Sequence, residues 1–225
     1  MDCISIIDRY YKEEPALRQL LLIHSEAVAR KAVSIARRHP ELDADVAFIA
    51  EAALLHDIGI IRTDAPGILC HGTEPYIRHG ILGAEMLRRE GLERHARVCE
   101  RHTGTGLTIH DITTQNLPLP HMDLVPETIE EQIICYADKF YSKSHPEREK
   151  TIEQAARSLE KAFSGKEVKL TKGVLSDPGL LGTVPGGSSV LLLEKLEKST
   201  YAGIVSELNY LKGRDVAVKG LVLFE

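Results

Sequence analysis

The chain has 225 residues, of which 43% are hydrophobic and 27% charged, values of a globular protein with a sizeable core rather than of a disordered chain or a small disulfide scaffold. With 28 Lys and Arg against 33 Asp and Glu the net charge is −5, which argues against a nucleic-acid or membrane-surface binder built on a basic stripe. No apolar run approaches the roughly 18 residues of a transmembrane helix, and the start MDCISIIDRYYKEEP has no leader-like pattern, so the expected location is the cytoplasm.

Residues 1–165 read as helices joined by loops. From Pro15 to about His39, Leu17, Leu20, Leu21, His24, Ala27, Val28 and Ala32 recur at helical spacing and put His24 on the buried face. A second helix is expected from about Asp43 to Asp57, with Gly59 as terminator. Residues 60–78 carry Pro66, Gly67, Gly72 and Pro75 and read as an irregular connection.

Helices are expected next at about 79–90, closed by Gly91, and at about 92–102, leading into HTGTG. Residues 103–126 read as a loop long enough to build one wall of a site. Pro126 and Glu127 then open a helix to about Ser142, with Ile134, Asp138 and Tyr141 on one face. Ser144 with Glu147 three positions on has the form of a capping box for a helix to about Phe163.

After Gly165 the glycines and prolines crowd together, followed by Val190 to Leu193 and by Val216, Val218, Leu221 and Val222. Short strands or a hairpin are expected there, with a helix near 200–211. The organisation is therefore mainly α: a helical domain at 1–165 and a C-terminal extension at 166–225 containing short β-strands. The end VAVKGLVLFE could pair edge to edge in a homodimer. The four cysteines, Cys3, Cys70, Cys99 and Cys135, form no CxxC pair and read as reduced thiols.

The chemistry is carried by histidine and aspartate. His56-Asp57 closes the apolar run Ala52, Ala53, Leu54, Leu55, and burying an imidazole beside a carboxylate is costly unless each is hydrogen-bonded or binds a metal. Neighbours at a helix end point in different directions, so the pair converges on one metal only from a turn, or serves two metals with the carboxylate between them. His24, His79, His102 and Asp138 are the other buried candidates. Imidazole and carboxylate suit iron, manganese, zinc, cobalt or nickel, and the absence of cysteine argues against a closed structural zinc site. Six ligands exceed one tetrahedral metal, whereas two metals sharing Asp57 use all six and leave positions for water and substrate.

His24, the doublet His56-Asp57 in its HDIG context, and Asp138 in ADKF resemble the signature of the HD-domain superfamily. His79 in RHG and His102 in ERHTGTG are similar to the extra histidines of its dinuclear members, and the resemblance covers residues 16–145. The GYP motif of the cyclic-dinucleotide phosphodiesterases is absent. The resemblance implies an HD-type helical bundle around a metal site, with hydrolysis of a phosphate ester or nucleotide by metal-activated water. A dinucleoside polyphosphate stays open as substrate, as do a dinuclear iron oxygenase and a nucleotide-sensing module without turnover.

Asp57 is expected to bridge the metals and accept a proton from water; Lys139 and then Arg62 are the favoured cations for phosphate, ahead of Arg78 and Arg101. Glu51 is a possible supporting partner one turn before the doublet, and Gly104 and Gly106 could bring backbone amides to a phosphate. His71 rivals His79 from a loop; His39, His95, His110, His121 and His145 are expected to be solvated. The expected partner is a small phosphorylated molecule, with neither nucleic acid nor membrane.

Overall fold

The computed structural model describes residues 1–151, 154–155, 157–158, 189–195 and 217–224. The chain divides into two compact units, Met1–Ala155 and Ala156–Glu225. Among the described residues, unit one holds seven α-helices and a small three-stranded sheet.

The first helix, α1 (Cys3–Tyr11), was not anticipated: Asp2 caps it by accepting from the amide of Ser5, and Cys3, Ile6, Ile7 and Tyr11 form its buried face. The long α2 (Pro15–Arg38) starts with proline in its first turn and matches its expected bounds closely. Its two halves enter separate apolar clusters, Leu17 and Leu21 in one and Val28, Ala32 and Ala36 in the other, with His24 between them. Helix α3 (Val46–Leu55) is capped by Asp45 and packs alanines Ala52 and Ala53 into the core.

Past α3 the chain tightens into a 3-10 turn, Ile58–Arg62, held by the Tyr11 hydroxyl donating to the Ile58 carbonyl at 2.8 Å. The connection at 60–78 is more ordered than its composition suggests. Strands β1 (Thr63–Ala65), β2 (Cys70–His71) and β3 (Glu74–Pro75) lie in the order β2-β1-β3, with β1 antiparallel to β2 and parallel to β3. Helices α4 (His79–Arg89) and α5 (Glu93–Arg101) follow as expected.

Within the expected loop at 103–126 lies a short helix, α6 (Ile109–Thr114), fixed by a capping box between Thr108 and Asp111. Helix α7 (Ile129–Asp138) starts three residues past Pro126, because Thr128 and Glu131 form the capping box. The helix expected from Ser144 does not start there. Ser144 shares a hydroxyl hydrogen bond with Ser142, and the reciprocal cap is made by Thr151 and Gln154. Its expected continuation to Phe163 lies outside the described residues.

In the second unit, β4 (Ser189–Lys195) pairs with β5 (Ala217–Phe224), which bears out short strands in the extension. The pairing is parallel, with an irregularity between Val190 and Leu191, so the hairpin alternative is corrected. Parallel strands need a crossover rather than a tight turn. The helix expected near 200–211 lies outside the described residues. Among the described residues, no helix is long and apolar enough to cross a membrane.

Candidate metal centre

The structure brings all six predicted ligands together from five places in the chain: mid-α2 (His24), the end of α3 and the turn after it (His56, Asp57), the start of α4 (His79), the end of α5 (His102) and the end of α7 (Asp138). They fall into two overlapping groups, His24, His56, Asp57 and Asp138 in one and Asp57, His79 and His102 in the other. The two oxygens of Asp57 divide between them. Oδ2 lies 3.0 Å from both His24 Nε2 and His56 Nε2, while Oδ1 lies 3.3 Å from His102 Nε2 and 3.4 Å from His79 Nε2. Asp138 Oδ1 completes the first group at 3.1 Å from His24 Nε2 and 3.5 Å from His56 Nε2.

The doublet reaches this arrangement through a turn. His56 keeps helical angles at the end of α3, whereas Asp57 leaves the helix at φ −108°, ψ 10°, so that its carboxylate turns back beside the imidazole and also stands between the two groups. Glycine makes room for this. A Cβ on Gly59 would stand 2.2 Å from the His79 carbonyl oxygen and 2.3 Å from the Gly83 nitrogen, so the turn carrying Asp57 touches the first turn of α4 backbone to backbone.

Three imidazoles are oriented by one device. Nδ1 of His56, His79 and His102 bonds to the carbonyl three residues earlier, of Ala53 (2.7 Å), Tyr76 (2.8 Å) and Cys99 (2.7 Å). A carbonyl only accepts, so each Nδ1 carries the proton and, in the neutral ring, each Nε2 presents a lone pair to the centre. At α3 and α5 the accepting carbonyl is one of those a helix end leaves unpaired. The end of α5 is further tied by the Cys135 thiol, which donates to the His102 carbonyl at 3.4 Å.

The chemistry of the donor set fits divalent metals. His24 Nε2, His56 Nε2 and Asp57 Oδ1 are buried without a hydrogen bond, although the imidazole nitrogens and the carboxylate stand about 3 Å apart, the pattern of atoms aimed at a common point rather than at each other.

Two partly buried lysines offset the carboxylates. Lys143 Nζ is 2.6 Å from Asp57 Oδ2, and Lys139 Nζ is 2.8 Å from Asp138 Oδ2 while donating to the His102 carbonyl at 3.1 Å. Burial opposes the Asp57 charge, but Lys143 and His56 hold its carboxyl well below the usual range. Burial likewise opposes the Lys143 charge and is outweighed by Asp57, so the ammonium stays protonated far above its ordinary value. His56 is lowered by burial and lifted further by Asp57 and Asp138, ending at about 9. His79 is pushed down to about 3, chiefly by burial, and His102 moves down for the same reason.

Several expected contributors stand elsewhere. Arg62 donates to Glu85 at 2.9 Å, Arg78 pairs with Glu74, and Arg101 bonds the Val125 carbonyl and Glu127. Glu51 pairs with the N-terminal ammonium and faces His95 instead of supporting the doublet. His95 is buried against Phe48 rather than solvated, because the amphipathic α5 turns it inward. His71, His110, His121 and His145 are exposed, and His39 pairs with Glu41. Gly104 and Gly106 adopt positive φ, the second packed against Val125 and Pro126.

Sequence reasoning missed Lys143 and Tyr76. The Tyr76 ring stacks on His79 with centroids 4.7 Å apart. A lysine in a stretch with no apolar periodicity gives no sign of burial, and the only available signal was its closeness to Asp138.

The chain matches the family described as HD domain over residues 21–143. It is 40% identical over 124 residues to a protein of Picrophilus torridus named tRNA (cytidine(56)-2'-O)-methyltransferase, across 55% of this chain and 32% of the relative. A protein of Thermoplasma volcanium with the same name is 34% identical over 141 residues, across 62% and 36%. An uncharacterized protein of Methanocaldococcus jannaschii is 38% identical over 118 residues, across 51% and 62%. The matched segments thus span about a third of the first two relatives. No solved structure matches the chain.

Proposed function

The chain belongs to the HD-domain family, and from that premise we propose that it is a metal-dependent phosphohydrolase acting on a phosphate ester of a small molecule such as a nucleotide. The observation that carries the reading is the division of the Asp57 carboxylate between two groups of candidate ligands, with the partly buried Lys143 beside it and Lys139 beside Asp138. His24, His56, Asp57 and Asp138 would hold one metal, and His79 and His102 a second that shares Asp57. Bound there, divalent metals supply Lewis acidity toward a phosphoryl oxygen and an acidified water near neutral pH.

The chain's own residues do the rest. Lys143 keeps a permanent positive charge beside Asp57, where a phosphoryl group drawn to the cluster gathers negative charge during displacement. Lys139 holds Asp138 in place and screens its charge. Asp57, common to both groups, would balance two cationic centres at once. Arg62, engaged by Glu85, is left out of the set.

Methyl transfer, named for two relatives that match over about a third of their length, is not carried over, because the clustered imidazoles and carboxylates are ligand chemistry for metals. A cytoplasmic setting accords with four buried free thiols.

The test is a panel of phosphate esters and nucleotides with Mn(II) or Co(II) under anaerobic conditions, and with Fe(II) in air. The reading expects anaerobic release of phosphate and loss of both turnover and metal retention in Asp57→Ala. Turnover only with iron and dioxygen would replace it with the oxygenase, and an active, fully metallated Asp57→Ala protein would contradict the bridging role.

A further inference from the structure

A cavity of about 490 Å³, within the range of small-molecule sites, opens between the turn at residues 65–68 and the segment at residues 142–144. Two residues that touch the metal ligands also line it. Tyr76 stacks on His79, of the second group, and Lys143 pairs with Asp57, shared by both. The cavity therefore adjoins the six-residue cluster, with these two side chains as the wall between them.

Its remaining wall is mainly apolar, with Ala65, Pro66 and Ile68 on one side. The Ser142 and Ser144 hydroxyls on the other side bond to each other at 2.8 Å and so satisfy part of their own demand. Lys143 is the one charged side chain among the described lining residues, and Asp57 already engages it.

We propose that this cavity receives the uncharged, mainly apolar alcohol half of a phosphate monoester, with Lys143 at the junction between that half and the phosphoryl group at the cluster. The proposal rests on the phosphohydrolase reading and narrows it. A dinucleoside polyphosphate or a bisphosphate would carry further negative charge past Lys143 along walls that offer it no partner, and would leave their apolar surface uncovered. An apolar group gains free energy from the same walls in proportion to the area it removes from water.

The test is binding to the metal-loaded protein of three non-hydrolysable probes: phenylphosphonate, methylphosphonate and 3-phosphonopropionate, whose arm ends in a carboxylate. Phenylphosphonate is expected to bind at least tenfold more tightly than the other two. Gly67 lines the cavity and a Cβ there meets nothing within 4 Å, so Gly67→Leu adds bulk without displacing backbone; Ser144→Leu adds bulk from the opposite wall. At least one variant should cut phenylphosphonate affinity to the methylphosphonate level while metal content and methylphosphonate binding hold. Equal binding of the three probes, preference for the charged arm, or a phenyl preference untouched by both variants would overturn the proposal. A preserved phenyl preference without turnover of any ester would overturn the hydrolase reading alone.

Discussion

Nε2 of His79 lies 3.1 Å from Nε2 of His102, and each ring has committed its Nδ1 proton to a backbone carbonyl. Two lone pairs directed at each other across that gap repel unless a cation stands with them. Burial pushes His79 down to about 3 and lowers His102, which disfavours a proton in that role. The geometry of the pair therefore suits a divalent metal, and the backbone of α4 and α5 orients both rings.

A pH dependence follows for the metal-free protein. The folded state keeps His79 neutral down to about 3, whereas the unfolded chain takes up that proton near 6.5. The unfolded state then binds more protons, so this contribution to stability is present above 6.5 and is lost as pH falls toward 3. Chemical denaturation of chelator-treated protein should show a fall with decreasing pH that begins near 6.5 and steepens toward a limit of about 1.4 kcal/mol per pH unit by about pH 5 for each such histidine, shallower in His79→Gln. A slope identical in the two proteins would refute the assignment.

Gly59→Ala should damage the second group before the first. The added methyl would meet backbone atoms of His79 and Gly83, which cannot rotate away, so α4 must shift and carry His79 with it. We expect a stability loss of about 1–3 kcal/mol, as for overpacking elsewhere, together with less metal per chain. Unchanged stability and metal content would show that the close approach is not needed.

Lys143→Met removes the ammonium from a fully buried carboxylate. Stripping one partner from a buried ion pair costs about 3–5 kcal/mol, and in the chelator-treated protein that full loss is expected. With metal present the loss should shrink, because the cation then balances Asp57. Equal losses in both conditions would mean that Lys143 and metal do not act on the same charge.

Metal removal should itself lower stability. A ligand that binds only the folded state stabilises it by about 2.7 kcal/mol at a hundredfold excess over Kd. Thermal unfolding with and without chelator should differ for the parent and coincide for Asp57→Ala. A parent whose transition ignores the chelator would contradict metal binding by the buried cluster.

The ligands were legible because each stood where an apolar pattern demanded burial. His24 sits on the inner face of α2, His56 and Asp57 close the apolar run of α3, and Asp138 lies on the inner face of α7. Helix α1 is equally periodic, with Cys3, Ile6, Ile7 and Tyr11 buried, but its 9 residues are a short window for the period to stand out. Helix α6 hid among glycines and prolines, its capping box using aspartate in the place usually held by glutamate or glutamine. The cations were poorly legible. Arg62 follows the doublet by only a few residues yet turns to Glu85 on α4, whereas Lys143 reaches Asp57 from the far end of the unit. Which long side chain meets which charge is decided by tertiary packing, and no local period records it.

The most direct test of the central claim is metal content per chain, by elemental analysis of protein purified anaerobically without chelator, beside His79→Ala and His102→Ala. The shared position of Asp57 predicts two metals in the parent, falling toward one in each variant. One metal per chain in the parent, unchanged in both variants, would contradict a dinuclear centre and leave His79 and His102 to serve substrate or structure.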